Sequence, residues 1–121
     1  MTSRRRIAFG FAVAMIVPLT ADADLAAYVL PAQCAAFWLG RDDFARVSAY
    51  LDRNAYDLPL AQEFRDVAVQ LNGGAAKLVD AFIAQERPAM AQLIEAAILG
   101  DRQSTDLHER LVLRCGVAPK P

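Results

Sequence analysis

Few side chains in this 121-residue sequence could do chemistry, and their spacing decides of what kind. Two cysteines, Cys34 and Cys115, stand 81 positions apart, and neither belongs to the Cys-x-x-Cys pairing that thiol exchange and zinc ribbons use. An even count of distant cysteines in an exported chain is the pattern of a structural disulfide, so a Cys34–Cys115 bond is predicted. In the chain-entropy account a closed loop of about 80 residues stabilises a fold by roughly 4–5 kcal/mol.

His108 is the sole histidine, with Asp106 and Glu109 beside it. Zinc needs three or four ligands at tight spacing, which the surrounding residues do not supply. A haem held by His108 and Met90 is the sharpest cofactor reading, because a histidine and methionine pair can ligate iron. Met90 also falls on an apolar stripe, where a thioether fills core, and Cys-x-x-Cys-His, the covalent haem motif, is missing. No cofactor or metal site is therefore assigned. A helical haem or electron-carrier protein using His108 stands as the alternative function.

Beyond the N-terminal stretch the hydroxyl inventory is Ser48, Ser104 and Thr105. Ser104 and Thr105 sit where helix caps belong, and no nucleophile elbow or triad order surrounds any of the three. No catalytic residue is assigned, and a small enzyme is the third reading. Asp42 and Asp43 are adjacent, so on a helix they do not face one another, and capping is the expected role. Gly73-Gly74 follows a helical pattern instead of a strand and makes no phosphate loop.

The elements that must position these residues begin after a targeting pattern. Arg4, Arg5 and Arg6 precede an apolar run from Ile7 to Leu19, and Ala21-Asp22-Ala23 has the small-x-small form of a signal peptidase site. The run is shorter than the roughly 20 residues a membrane span needs, so no permanent anchor is expected. Residues 1–23 read as a signal peptide cleaved between Ala23 and Asp24, which sends the protein to the periplasm. Removing Arg4, Arg5, Arg6 and Asp22 leaves 10 basic against 13 acidic side chains, a net charge of −3. The arginines are dispersed singly among carboxylates, and the basic stripe that nucleic acid demands is missing.

From Asp24 onward apolar residues recur at three and four positions, the helical period, and 19 alanines agree with it. Glycines at 40, 73–74, 100 and 116 read as helix stops. Prolines at 31, 59 and 88 read as helix starts or kinks. The first helix is expected over about Leu25–Leu39 and a second after it, with Asp42 as cap and Phe44, Val47 and Leu51 inward. Leu60, Phe64, Val67 and Leu71 predict the apolar face of a third. Leu78 to Ile83 and Met90 to Ile98 predict a fourth and fifth, or one rod kinked at Pro88. A last helix carries Leu107, Leu111 and Cys115 on one face.

The expectation is one all-α domain over residues 24–116, a small irregular bundle of five or six short helices clasped by one disulfide. A flexible tail at 117–121 follows. Tyr28, Phe37, Trp38, Tyr50 and Tyr56 cluster in the first half, on apolar faces wide for a domain of this size. The reading of function is a non-enzymatic binding or interaction protein that presents an apolar helical surface to a lipid, peptide or protein client.

Overall fold

The computed structural model describes residues 25–117, which are helical apart from short connections. Four helices follow in order: α1 (Val29–Val47), α2 (Asp57–Leu71), α3 (Ala76–Ile98) and α4 (Arg102–Cys115). Among the described residues none is long and apolar enough to cross a membrane. The signal peptide, its cleavage point at Ala23 and Asp24, and residues 118–121 of the tail lie outside the described residues.

α1 is the axis of the bundle. Cys34, Ala35, Ala36, Phe37 and Trp38 are all buried in succession, so neighbours surround this helix on every side. α3 runs in the same direction as α1: Tyr28 meets Phe82 edge-on at 6.0 Å, and Gly40 lies against Arg87, Met90 and Ala91 further along. α4 runs the opposite way, with Cys34 joined to Cys115 and the Phe37 ring 5.6 Å from His108. α2 opposes α3, as the Arg65–Asp80 pair beside their shared turn requires. The result is an up-down-up-down bundle in which α1 and α3 press together along the diagonal, and α2 and α4 make no contact with each other.

Four helices stand where the glycine and proline spacing predicted five or six, and two residues explain the difference. Gly40 does not stop α1. It lies inside the helix, where a Cβ would come within 2.8 Å of the Met90 Cβ and 2.9 Å of the Arg87 carbonyl oxygen. Glycine serves here as the point of closest approach between α1 and α3. Pro88 does not divide α3, because both Pro88 and Ala84 face solvent. The Ala84 carbonyl, which loses its usual partner to the missing proline amide, is left to water.

The expected second helix is consequently the last turns of α1 and an irregular segment, 48–56. Val47, predicted inward, is 84% exposed. In α2 the buried set is Asp57, Ala61, Phe64 and Ala68, so the predicted stripe through Leu60 and Leu71 is rotated by about one residue. Small alanines face α1 and the bulkier leucines flank them.

The remaining glycines end helices as expected. Gly73, at φ +68°, follows α2, and Gly74 N–H donates to Val69 O at 2.8 Å. Gly100, at φ +96°, does the same after α3, where Asp101 N–H reaches Ala96 O at 3.0 Å. Asp101 then opens α4, its carboxylate accepting from the Ser104 N–H at 2.9 Å.

Candidate functional site

Three charged residues in the second half of α1 reach three different parts of the fold. The Arg41 guanidinium donates from Nη1 to Asp57 Oδ2 at 2.7 Å, holding the start of α2. Asp42 is 1% exposed and accepts from Arg46 Nε and Arg53 Nε, both at 2.9 Å, which fastens the 48–56 segment. Asp43 accepts two bonds from Arg87 of α3, at 2.5 and 2.7 Å.

Burial pushes the Asp42 carboxyl up, but the hydrogen bonds and charges of Arg53 and Arg46 outweigh it, and the group lies below the usual carboxylate range. The Asp43 hydrogen bonds and charge raise Arg87. Asp42 and Asp43 are therefore ion-pair partners in mid-helix. The capping role expected for them is overturned because α1 runs through the position where a new helix was predicted to begin.

The disulfide lies at the opposite end of α1. Cys34 and Cys115 are bonded with their Cα atoms 5.3 Å apart, both buried. Trp38 packs beside them, its ring 4.9 Å from Phe37 and its indole N–H donating to the Cys115 carbonyl at 2.8 Å. Arg114 donates to the Gln33 side chain just outside. With no free thiol among the described residues, this cluster holds helices together.

Two of the surface concavities lie where α1 and α3 both end, and a larger one, of about 510 Å³, runs beside Asp43, Ile83, Arg87 and Pro88 in mid-bundle. A largely apolar groove of about 290 Å³ is lined by Phe44, Val47, Tyr50, Ile98 and Leu99 together with Ser48, Ala49 and Glu95. Val47, Tyr50 and Leu99 are each more than 70% exposed. Ile98 is shared with a second, open cavity of about 220 Å³, lined also by Leu51, Ile94, Ala97 and Thr105 and by Arg41, His108 and Glu109. Two concavities thus flank one isoleucine. Both are mixed, the first carrying Ser48 and Glu95 among its apolar residues and the second Arg41, Thr105, His108 and Glu109.

The candidate residues of the sequence divide between these places. His108 is half-buried on the Phe37 ring; burial and the Arg41 charge hold its imidazole below the ordinary range, with Glu109 opposing. Met90 is buried under Gly40 and does not line the His108 cavity. Thr105 Oγ1 donates to Asp101 O at 2.8 Å, Ser104 pairs with the Asp101 cap, and Ser48 Oγ accepts from the Tyr50 N–H. Among the described residues no group of three or more His, Cys, Asp or Glu is placed to hold a metal. Phe37 and Trp38 are core, whereas Tyr50 and Tyr56 are exposed.

Sequence reasoning missed Arg41, Asp57 and Arg87. A signal for two of them exists: Asp57 stands four residues before Ala61 on the inward stripe of α2, and Arg87 stands between Ile83 and Met90 on that of α3. A charge on a buried stripe needs a partner, and that requirement points to a tertiary ion pair. Comparison of the chain with protein-family models, with curated proteins and with solved structures found no match.

Proposed function

We propose that this is an exported, non-enzymatic binding protein that offers the apolar end of its bundle to an amphipathic client, a lipid, a peptide or an apolar segment of another protein. The observation that carries the reading is the groove of Phe44, Val47, Tyr50, Ile98 and Leu99. Isolated exposed leucines are ordinary on any surface, but contiguous exposed apolar side chains around a concavity are the usual form of a binding site. The buried Cys34–Cys115 bond supports export, since such bonds persist in oxidising compartments. So does the basic, apolar, small-residue order of residues 1–23, which reads as a cleaved signal peptide leading to the periplasm.

The test is binding of the dye 1-anilinonaphthalene-8-sulfonate to the purified protein and to a Val47→Asp/Leu99→Asp variant. Both positions are well exposed, so the variant keeps the fold. The reading expects enhanced, blue-shifted dye emission that the variant loses while its circular dichroism stays unchanged. A native protein that leaves the dye dark, or a folded variant that brightens it equally, would overturn the reading.

A further inference from the structure

We propose that the cavity between α1, α3 and α4 binds a monocarboxylate on a short apolar stem, Arg41 and His108 taking the carboxylate and Leu51, Ile94, Ala97 and Ile98 taking the stem. The proposal rests on the apolar-binding reading above and names the ligand class for the same end of the bundle.

The argument starts from donors. Arg41 carries five N–H groups, and only Nη1 is given a protein acceptor among the described residues, the Asp57 carboxylate. Its side chain is 22% exposed, so the guanidinium is reachable from the cavity. Neither ring nitrogen of His108 has a protein hydrogen-bond partner among the described residues, although the ring is packed on Phe37. A concavity with apolar walls and solvent-facing donors of Arg41 and His108 on its lining suits a ligand that accepts at one end only. A carboxylate does so, and a guanidinium fork matches its two oxygens.

Charge agrees with that choice. The groups that face His108 are Arg41 from α1 and Glu109 on its own helix, while α3 offers Ile94, Ala97 and Ile98. The Arg41 charge acts on the imidazole more strongly than that of Glu109, and together with burial it disfavours imidazolium. An anion seated between Arg41 and His108 reverses that, so binding takes up a proton on His108. Affinity therefore rises as pH falls from about 7.5 to about 5.5, where a simple carboxylic acid is still ionised.

The experiment titrates hexanoate, and separately 1-hexanol, into the isotope-labelled protein while following the His108 ring and the Ile94 and Ile98 methyl resonances. Hexanoate is expected to shift all three saturably, to bind more tightly at the lower pH, and to raise the His108 midpoint. Arg41→Lys, which keeps a charge for Asp57 but loses the fork, is expected to bind about tenfold more weakly, as for the loss of one charge-assisted hydrogen bond. Ile98→Trp fills the cavity and should abolish the shifts. Hexanol binding equally well at the same methyls would overturn the carboxylate assignment and leave the apolar reading standing. Shifts from neither compound would overturn the ligand assignment at this cavity, while the dye test on the Val47 and Leu99 groove decides the apolar-binding reading separately.

Discussion

The indole nitrogen of Trp38 donates to the carbonyl oxygen of Cys115, the last residue of α4, at 2.8 Å. The final carbonyls of a helix have no partner within it, and burial would leave this one orphaned next to the disulfide. One side chain of α1 thus caps α4 at the point where the two helices are covalently joined. Trp38→Phe keeps an aromatic ring but removes the donor and part of the volume. The expected cost is about 1–3 kcal/mol, measured as a lower urea midpoint by circular dichroism with the disulfide intact. An unchanged midpoint would mean that water replaces the indole at no cost.

Gly40→Ala sets helix propensity against packing. Alanine improves the intrinsic helix by up to about 1 kcal/mol. Its methyl, however, would lie 2.8 Å from Met90 Cβ and 2.9 Å from the Ala91 nitrogen and Arg87 oxygen, distances that force the diagonal apart. Overpacking of this kind costs about 1–3 kcal/mol, so net destabilisation is expected in chemical unfolding. A stabilised variant would show that α1 and α3 do not approach as described.

Pro88→Ala should act in the opposite sense. Position 88 is exposed in the middle of α3, and restoring its amide returns a partner to the Ala84 carbonyl without adding a buried atom. A proline in a helix interior is about 3 kcal/mol less favourable than alanine, and the more flexible unfolded chain offsets up to about 1 kcal/mol of the gain. A rise of about 2 kcal/mol in unfolding free energy is expected. A fall would mean that the proline is needed for the course of α3 past Gly40.

Asp42 makes stability depend on acid. Burial raises its carboxyl, but the hydrogen bonds and charges of Arg53 and Arg46 outweigh that and hold it below the usual carboxylate range. A depressed carboxylate contributes fully above its unfolded value, and the contribution is lost as pH falls through the folded value, in the region below about 4. Asp42→Asn is expected to cost about 1–3 kcal/mol at neutral pH and to flatten the acid limb of a stability-against-pH curve. An acid limb identical to that of the native protein would assign the effect to other carboxylates.

How much was legible beforehand depended on whether a residue type has one physical use or several. Two isolated cysteines on apolar stripes of helices have one, and the Cys34–Cys115 bond followed. The all-helical class followed as well, because the spacing of apolar residues averages over many positions. Glycine has two uses, ending helices and admitting a neighbour, and nothing local separates Gly40 from Gly100; only the presence of α3 does. The α2 stripe was misplaced for a related reason. Large leucines dominate a periodicity count, whereas close packing against α1 selects Ala61 and Ala68.

The candidate site was less legible than the fold. His108 enters from the sequence only through the alternative haem reading with Met90, and the two residues lie in different places. The cavity depends on Arg41, which is 67 positions from His108, and no local pattern links the two. The groove at the end of the bundle joins residues near 47 to residues near 98, a juxtaposition set by the parallel course of α1 and α3. The exposed tyrosines at 50 and 56 belong to the one irregular segment longer than a tight turn, where no period exists to place them.

The girdle of buried residues around α1 also bears on the order in which the molecule can be made. α1 and α2 emerge from synthesis well before α3, yet most of what covers α1 on the diagonal belongs to α3. A nascent chain ending near residue 75 would carry Cys34 to Trp38 with one flank bare and no thiol to pair with. A chain cut near residue 75 is therefore expected to keep the α1–α2 packing but to lose the α3 and α4 faces and the disulfide, and so to be much less stable than the whole.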